Sequence, residues 1–172
     1  MLETASGARS EPVTIRRRLR EGDSEALVDM HATIYAAEHG LGGTFAADVA
    51  RELGGAIRRG WPERGGAAWI VERAGEVAGS LALVAADDGT ARVRWFLLEP
   101  RLRGRGLGRR LLADLVAEAD AAGYELVRLD TFSELRAAAH LYRSFRFEVV
   151  DAYRDARWGR PLLLQTYERR AG

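Results

Sequence analysis

The run Glu99-Pro100-Arg101-Leu102-Arg103-Gly104-Arg105-Gly106-Leu107-Gly108-Arg109-Arg110 holds the densest chemistry in the sequence. Its glycines let a backbone turn tightly and approach a ligand with no Cβ in the way. A leucine-rich amphipathic stretch follows, so the run ends at a helix N-terminus. Unpaired N–H groups and the positive end of the helix dipole suit such a place to phosphate or pyrophosphate. Five arginines between residues 101 and 110 add donors. A dinucleotide fingerprint counted from Gly104 would need glycine where Arg109 stands, and a nucleoside-triphosphate loop needs a lysine that the chain lacks. What remains is R-x-x-G-x-G from Arg103 to Gly108, against the plainer alternative of a turn that merely starts a helix.

Composition removes much other chemistry. The 172 residues carry 26 basic side chains, all arginine, against 25 acidic ones, with 47% hydrophobic residues and a net charge of +1. This length predicts a single domain, with residues 1–12 as a mobile tail and 13–172 as the folded unit. Without cysteine there is no disulfide, thiolate metal site or cysteine nucleophile, and without lysine no Schiff base. Three histidines and no cysteine predict no metal site. Near-zero net charge predicts neither nucleic acid nor membrane as partner. The RRRLR run at 16–20 reads as a solvated strand face, with a nucleic-acid patch as the alternative. The polar start, with no apolar core behind it, and the lack of any span of about 18 apolar residues predict a cytoplasmic protein.

The elements that must hold the loop follow from periodicity. Strands are expected at Val13–Leu19, Ala67–Glu72, Glu76–Ala85, Thr90–Leu98, Leu126–Asp130, Phe147–Tyr153 and Leu162–Glu168. Helices are expected near Glu25–Glu38, Phe45–Ile57, Leu107–Ala122 and Glu134–Ser144, the first with Leu27, Met30, Ile34 and Tyr35 on one face and a cap from Gly22-Asp23-Ser24. The order gives a mixed α+β sheet, mostly antiparallel, flanked by helices.

In this order and in R-x-x-G-x-G, the stretch from Val13 to Glu168 resembles a GCN5-related N-acetyltransferase (GNAT). Tyr35-Ala36-Ala37-Glu38-His39-Gly40 and Gln165-Thr166-Tyr167-Glu168 bring it nearest to the acetyltransferase halves of MarR-regulator fusions. The resemblance implies acetyl-CoA as co-substrate and a splayed strand pair holding it. Backbone N–H groups of Arg103, Gly104, Arg105, Gly106, Leu107, Gly108 and Arg109 would hold the pyrophosphate. Phe96, Leu97 and Leu98 would pair with the pantetheine arm, and Leu135, Ala138 and Tyr142 would line the coenzyme.

The resemblance puts Tyr142 at the family's tyrosine position, as general acid to the leaving thiolate. A phenol of pKa about 10 can protonate a thiolate whose conjugate acid lies near about 8.5; the alternative is a core tyrosine. Two positions depart from the family: Leu135 stands where many relatives have asparagine, and Arg146-Phe147 where a Gly-Phe pair is usual. Glu38 and His39 close the first helix on the acceptor side. They are candidates to bind the amine or take its proton, or are only a helix end. Asp151, Tyr153, Asp155, Arg157 and Trp158 lie on the other acceptor side, and their mixed charge names no substrate. The expected function is direct acetyl transfer to a primary amine of a small molecule or peptide in a ternary complex, with a homodimer as a possible assembly. The alternative is a non-catalytic coenzyme A-binding regulatory module.

Overall fold

Ala67-Ala68-Trp69-Ile70-Val71 is buried at every residue, the pattern of a strand covered by helices on both faces. That strand sits second in a sheet of seven. The computed structural model describes residues 11–87 and 89–172; positions 1–10 of the expected tail lie outside the described residues. In chain order the elements are β1 (Val13–Arg16), α1 (Asp23–His39), α2 (Gly43–Arg58), β2 (Ala67–Arg73), β3 (Glu76–Ala85) and β4 (Thr90–Leu98). A short 3-10 turn at Pro100–Leu102 leads to α3 (Leu107–Ala121), β5 (Leu126–Phe132), α4 (Arg136–Ser144), β6 (Glu148–Asp155) and β7 (Leu162–Arg170). The strands lie in the order β1-β2-β3-β4-β5-β7-β6, with β4 and β5 parallel and every other pair antiparallel. This is the expected mixed α+β sheet.

Two cores form, one on each face. Helices α3 and α4 pack Leu111, Leu112, Leu115 and Tyr142 against Trp69, Leu81, Leu83 and Tyr167. Helices α1 and α2 pack Leu27, Phe45, Val49 and Leu53 against Ile70, Ala82, Trp95 and Phe132. No helix among the described residues is long and apolar enough to cross a membrane.

The N-terminal arginines correct the sequence reading. Strand β1 ends at Arg16 rather than Leu19, because Arg16 turns inward. It forks onto Asp23 at 2.7 and 2.9 Å and meets Glu72 at 2.9 Å. Arg17 donates to the Ala68 carbonyl and lies 4.1 Å over the Trp69 ring. The run is thus a set of ion pairs and a cation–π contact. Within the expected Gly22-Asp23-Ser24 turn the N-cap of α1 is Gly22, without a side-chain cap, and Asp23 accepts the Arg20 N–H at 2.6 Å.

On α1 the inward stripe is Asp23, Leu27 and His31, while Met30, Ile34 and Tyr35 are half-buried. His31 is 3% exposed, and its Nδ1 lies 2.7 Å from the Leu27 carbonyl, a contact that places its proton on Nδ1. Burial outweighs that bond and lowers its pKa from 6.5 to about 4. The unfolded chain therefore takes up a proton on this residue as pH falls below 6.5, while the folded chain does not until about pH 4. Stability falls across that window, by about 2 kcal/mol between pH 7 and pH 5 from this group alone. Urea unfolding at the two pH values should show a smaller difference in His31→Gln than in the natural chain; equal differences would contradict the assignment.

Candidate active site

Strands β4 and β5 pair only through Thr90–Leu126, Ala91–Val127 and Arg92–Arg128 and then part, although both run further. A bulge in β4 turns it away. Between the Ala82–Arg94 and Ser80–Leu97 pairs, β4 carries one residue more than β3. Trp95 adopts φ 46°, a strained conformation for a bulky residue. The Ser80 hydroxyl donates to the Trp95 carbonyl at 2.5 Å, and the Trp95 ring meets Trp61 edge-on at 5.2 Å. At Gly79 a Cβ would lie 2.6 Å from a Leu98 methyl, so only glycine lets the strands close around the bulge. Beyond Arg92, one edge of β4 faces a cleft of about 660 Å³ with no strand against it.

The glycine loop closes one end of this cleft. Gly104 and Gly106 take φ 71° and 78°, and a Cβ on either would meet no atom within 4 Å. Helix α3 then begins with no side chain capping its first N–H groups. Orphan donors beside an open glycine cradle fit a pyrophosphate. The arginines divide. Arg103 donates from Nε to the Leu98 carbonyl at 2.9 Å and from Nη1 to both Glu38 carboxylate oxygens at 2.9 Å. Arg109 reaches Ser144 Oγ at 3.1 Å and lies 5.5 Å over Phe145. Arg105 and Arg110 border a small hollow beside Val13 and Ile15.

Of the expected site residues, Glu38, His39, Phe96, Leu97, Leu98, Arg103, Gly104, Gly108, Leu135, Ala138 and Tyr142 line the one cleft; Arg105, Gly106, Leu107 and Arg109 do not. Tyr142, 6% exposed, packs its ring 6.3 Å from Phe96 and 5.8 Å from Tyr167. Burial raises its hydroxyl pKa, and the neighbouring Tyr35 and Tyr167 raise it further. Burial likewise pushes Tyr35 up to about 12, with Arg103 opposing and Glu38 adding to the shift. His39 Nε2 stands 3.8 Å from Glu38, and its ring contacts Tyr35 and Phe132 at 5.6 and 5.2 Å. At the departures from the common pattern, Leu135 is the residue capping α4, and Arg146 takes φ 65° where glycine would be unstrained.

Asp48, Glu134 and Arg160, which the sequence did not single out, build the far end together with Trp158. Asp48 on α2 accepts the Trp158 indole N–H at 2.8 Å, the main reason its carboxyl is held below the usual range. Arg160 donates to the His39 carbonyl at 2.7 Å and forks onto Glu134 at 2.6 and 2.9 Å, which holds that carboxyl low as well. The stretch between β6 and β7 is thereby fastened to α1, α2 and the start of α4.

Comparison with known proteins agrees with this geometry. The profile of the acetyltransferase (GNAT) family matches residues 30–147. The uncharacterized N-acetyltransferase YjgM of Escherichia coli is 27% identical over 140 residues, 80% of this chain and 83% of that protein. Among solved structures, an acetyltransferase from Streptococcus agalactiae superposes with a TM-score of 0.70 at 22% identity, covering 92% of this chain and 98% of its own. The yncA protein of Salmonella typhimurium, whose structure holds its cofactor acetyl-CoA, superposes with a TM-score of 0.67 at 24% identity over 92% of this chain and 93% of its own. The chain belongs to the GNAT acetyltransferase family. It is an N-acetyltransferase.

Proposed function

We propose that the protein transfers acetyl directly from acetyl-CoA to a primary amine while both are bound. One observation carries this reading: a single cleft runs from the glycine loop, past the free edge of β4 and Tyr142, into the chamber between α1, α2 and the β6–β7 stretch. Coenzyme and acceptor can therefore meet without an intermediate held by the protein.

The neutral amine nitrogen attacks the thioester carbonyl carbon, and the electron pair moves to the carbonyl oxygen. N–H groups on the free edge of β4 stabilise that oxyanion. The carbon–sulfur bond then breaks, and Tyr142 gives its proton to the thiolate. Burial raises the Tyr142 pKa, so the hydroxyl is protonated and able to donate at the pH of the reaction. His39 takes the proton that the amine loses, and Glu38, 3.8 Å away, stabilises the imidazolium while holding Arg103 against Leu98.

His39→Gln should raise amine KM or shift the acidic limb of the pH–rate profile, and Glu38→Gln should do so more weakly, both with acetyl-CoA affinity retained. Unchanged amine kinetics in both would leave the segment a helix end. The function itself is tested by thiol release from acetyl-CoA with and without 2-phenylethylamine and a panel of other primary amines. Release that requires an amine supports the transferase. Tight acetyl-CoA binding with no release on any amine favours a coenzyme-binding module.

A further inference from the structure

The acceptor end of the cleft is walled by rings. Tyr35 lies 4.6 Å from Phe45 and 6.1 Å from Phe132, and Phe45 meets Trp158 edge-on at 5.2 Å. All four line the cleft. The acidic side chains that line the cleft are already paired. Glu38 is held by Arg103, Glu52 by Arg94, Glu134 by Arg160 and Asp130 by Arg92. Asp48 is shared between Arg51 and the Trp158 indole. A highly charged acceptor body would have to break such pairs; a flat apolar one can lie on the half-buried Tyr35 and Trp158, while Phe45 and Phe132 are buried within the wall.

The wall is also fixed. Trp158 is fastened to α2 through Asp48, Arg157 lies 6.0 Å over its ring, and Arg160 ties the following turn to the end of α1. The whole cleft is about 660 Å³ and must take the pantetheine end as well as the acceptor, which leaves room for a small molecule. We propose that the acceptor is a small amine bearing an aromatic ring, and that Trp158, held by Asp48, is the residue that selects it. This rests on the amine-acetylation reading above.

The test compares 2-phenylethylamine with butylamine and with a short peptide bearing a free N-terminus, by thiol release. In parallel, calorimetry follows binding of each amine to protein saturated with coenzyme A. The natural chain should favour 2-phenylethylamine at least tenfold in kcat/KM or in affinity. Trp158→Ala should erase that preference with acetyl-CoA affinity kept, and Trp158→Phe, which keeps a ring, should retain most of it. If no amine is acetylated but 2-phenylethylamine binds preferentially and Trp158→Ala abolishes this, the transfer reading fails and the aromatic site stands. Equal or reversed preference, or a preference that survives Trp158→Ala, overturns the proposal whether or not acetyl transfer occurs. Should Trp158→Ala not fold, Trp158→Leu in the same comparison decides.

Discussion

Tyr142→Phe is expected to lower kcat by about 10²-fold or more, the scale of one general acid, with little change in acetyl-CoA affinity. The substitution keeps the ring that packs on Phe96, Phe147 and Tyr167 and removes only the hydroxyl. The thiolate must then leave unprotonated or wait for water. Because burial raises the Tyr142 pKa above 10, the natural enzyme should show no alkaline loss of kcat from this group below that pH. Steady-state kinetics of the two proteins over pH 6–10 checks both statements. Equal turnover would return Tyr142 to a packing role.

Gly106→Val should weaken acetyl-CoA binding about tenfold or more, the loss of one or two hydrogen bonds to a charged pyrophosphate. Gly106 sits at φ 78° just before α3, where a β-branched side chain forces the backbone out of the left-handed region and swings the loop's N–H groups off target. The same strain costs about 1–3 kcal/mol of stability, so a control is needed. Gly123, at φ 77° beyond the far end of α3, also has open space around it. Gly123→Val should lose comparable stability and keep coenzyme affinity. Thermal unfolding with calorimetric titration of both variants separates the effects, and equal affinities would remove the cradle assignment.

The sequence was legible where local chemistry decides. Strands β3 and β4 lie where Ala74-Gly75 and Pro100 bound them, and α3 starts at Leu107 because the glycines before it and the leucines within it agree. It misled where distant partners decide. Arg16 and Arg17 shorten β1 by reaching Asp23, Glu72 and Ala68. Glu134 stays out of α4 and forks with Arg160. The Arg103 guanidinium spans the Leu98 carbonyl and Glu38, a contact 65 residues away along the chain that no local pattern marks. Nothing local marks Trp95 for a positive φ, since the bulge exists only against Ser80 and Gly79. The bond from Trp158 to Asp48 joins residues 110 apart, beyond any periodicity.

Direct transfer in a ternary complex is tested most directly by initial velocities over a matrix of acetyl-CoA and 2-phenylethylamine concentrations, or another turned-over amine, with a mass spectrum of the protein after acetyl-CoA alone. Intersecting double-reciprocal lines, an unmodified protein and no thiol burst without amine are the expected result. Parallel lines, with an acetylated protein and a stoichiometric thiol burst before amine is added, would contradict it.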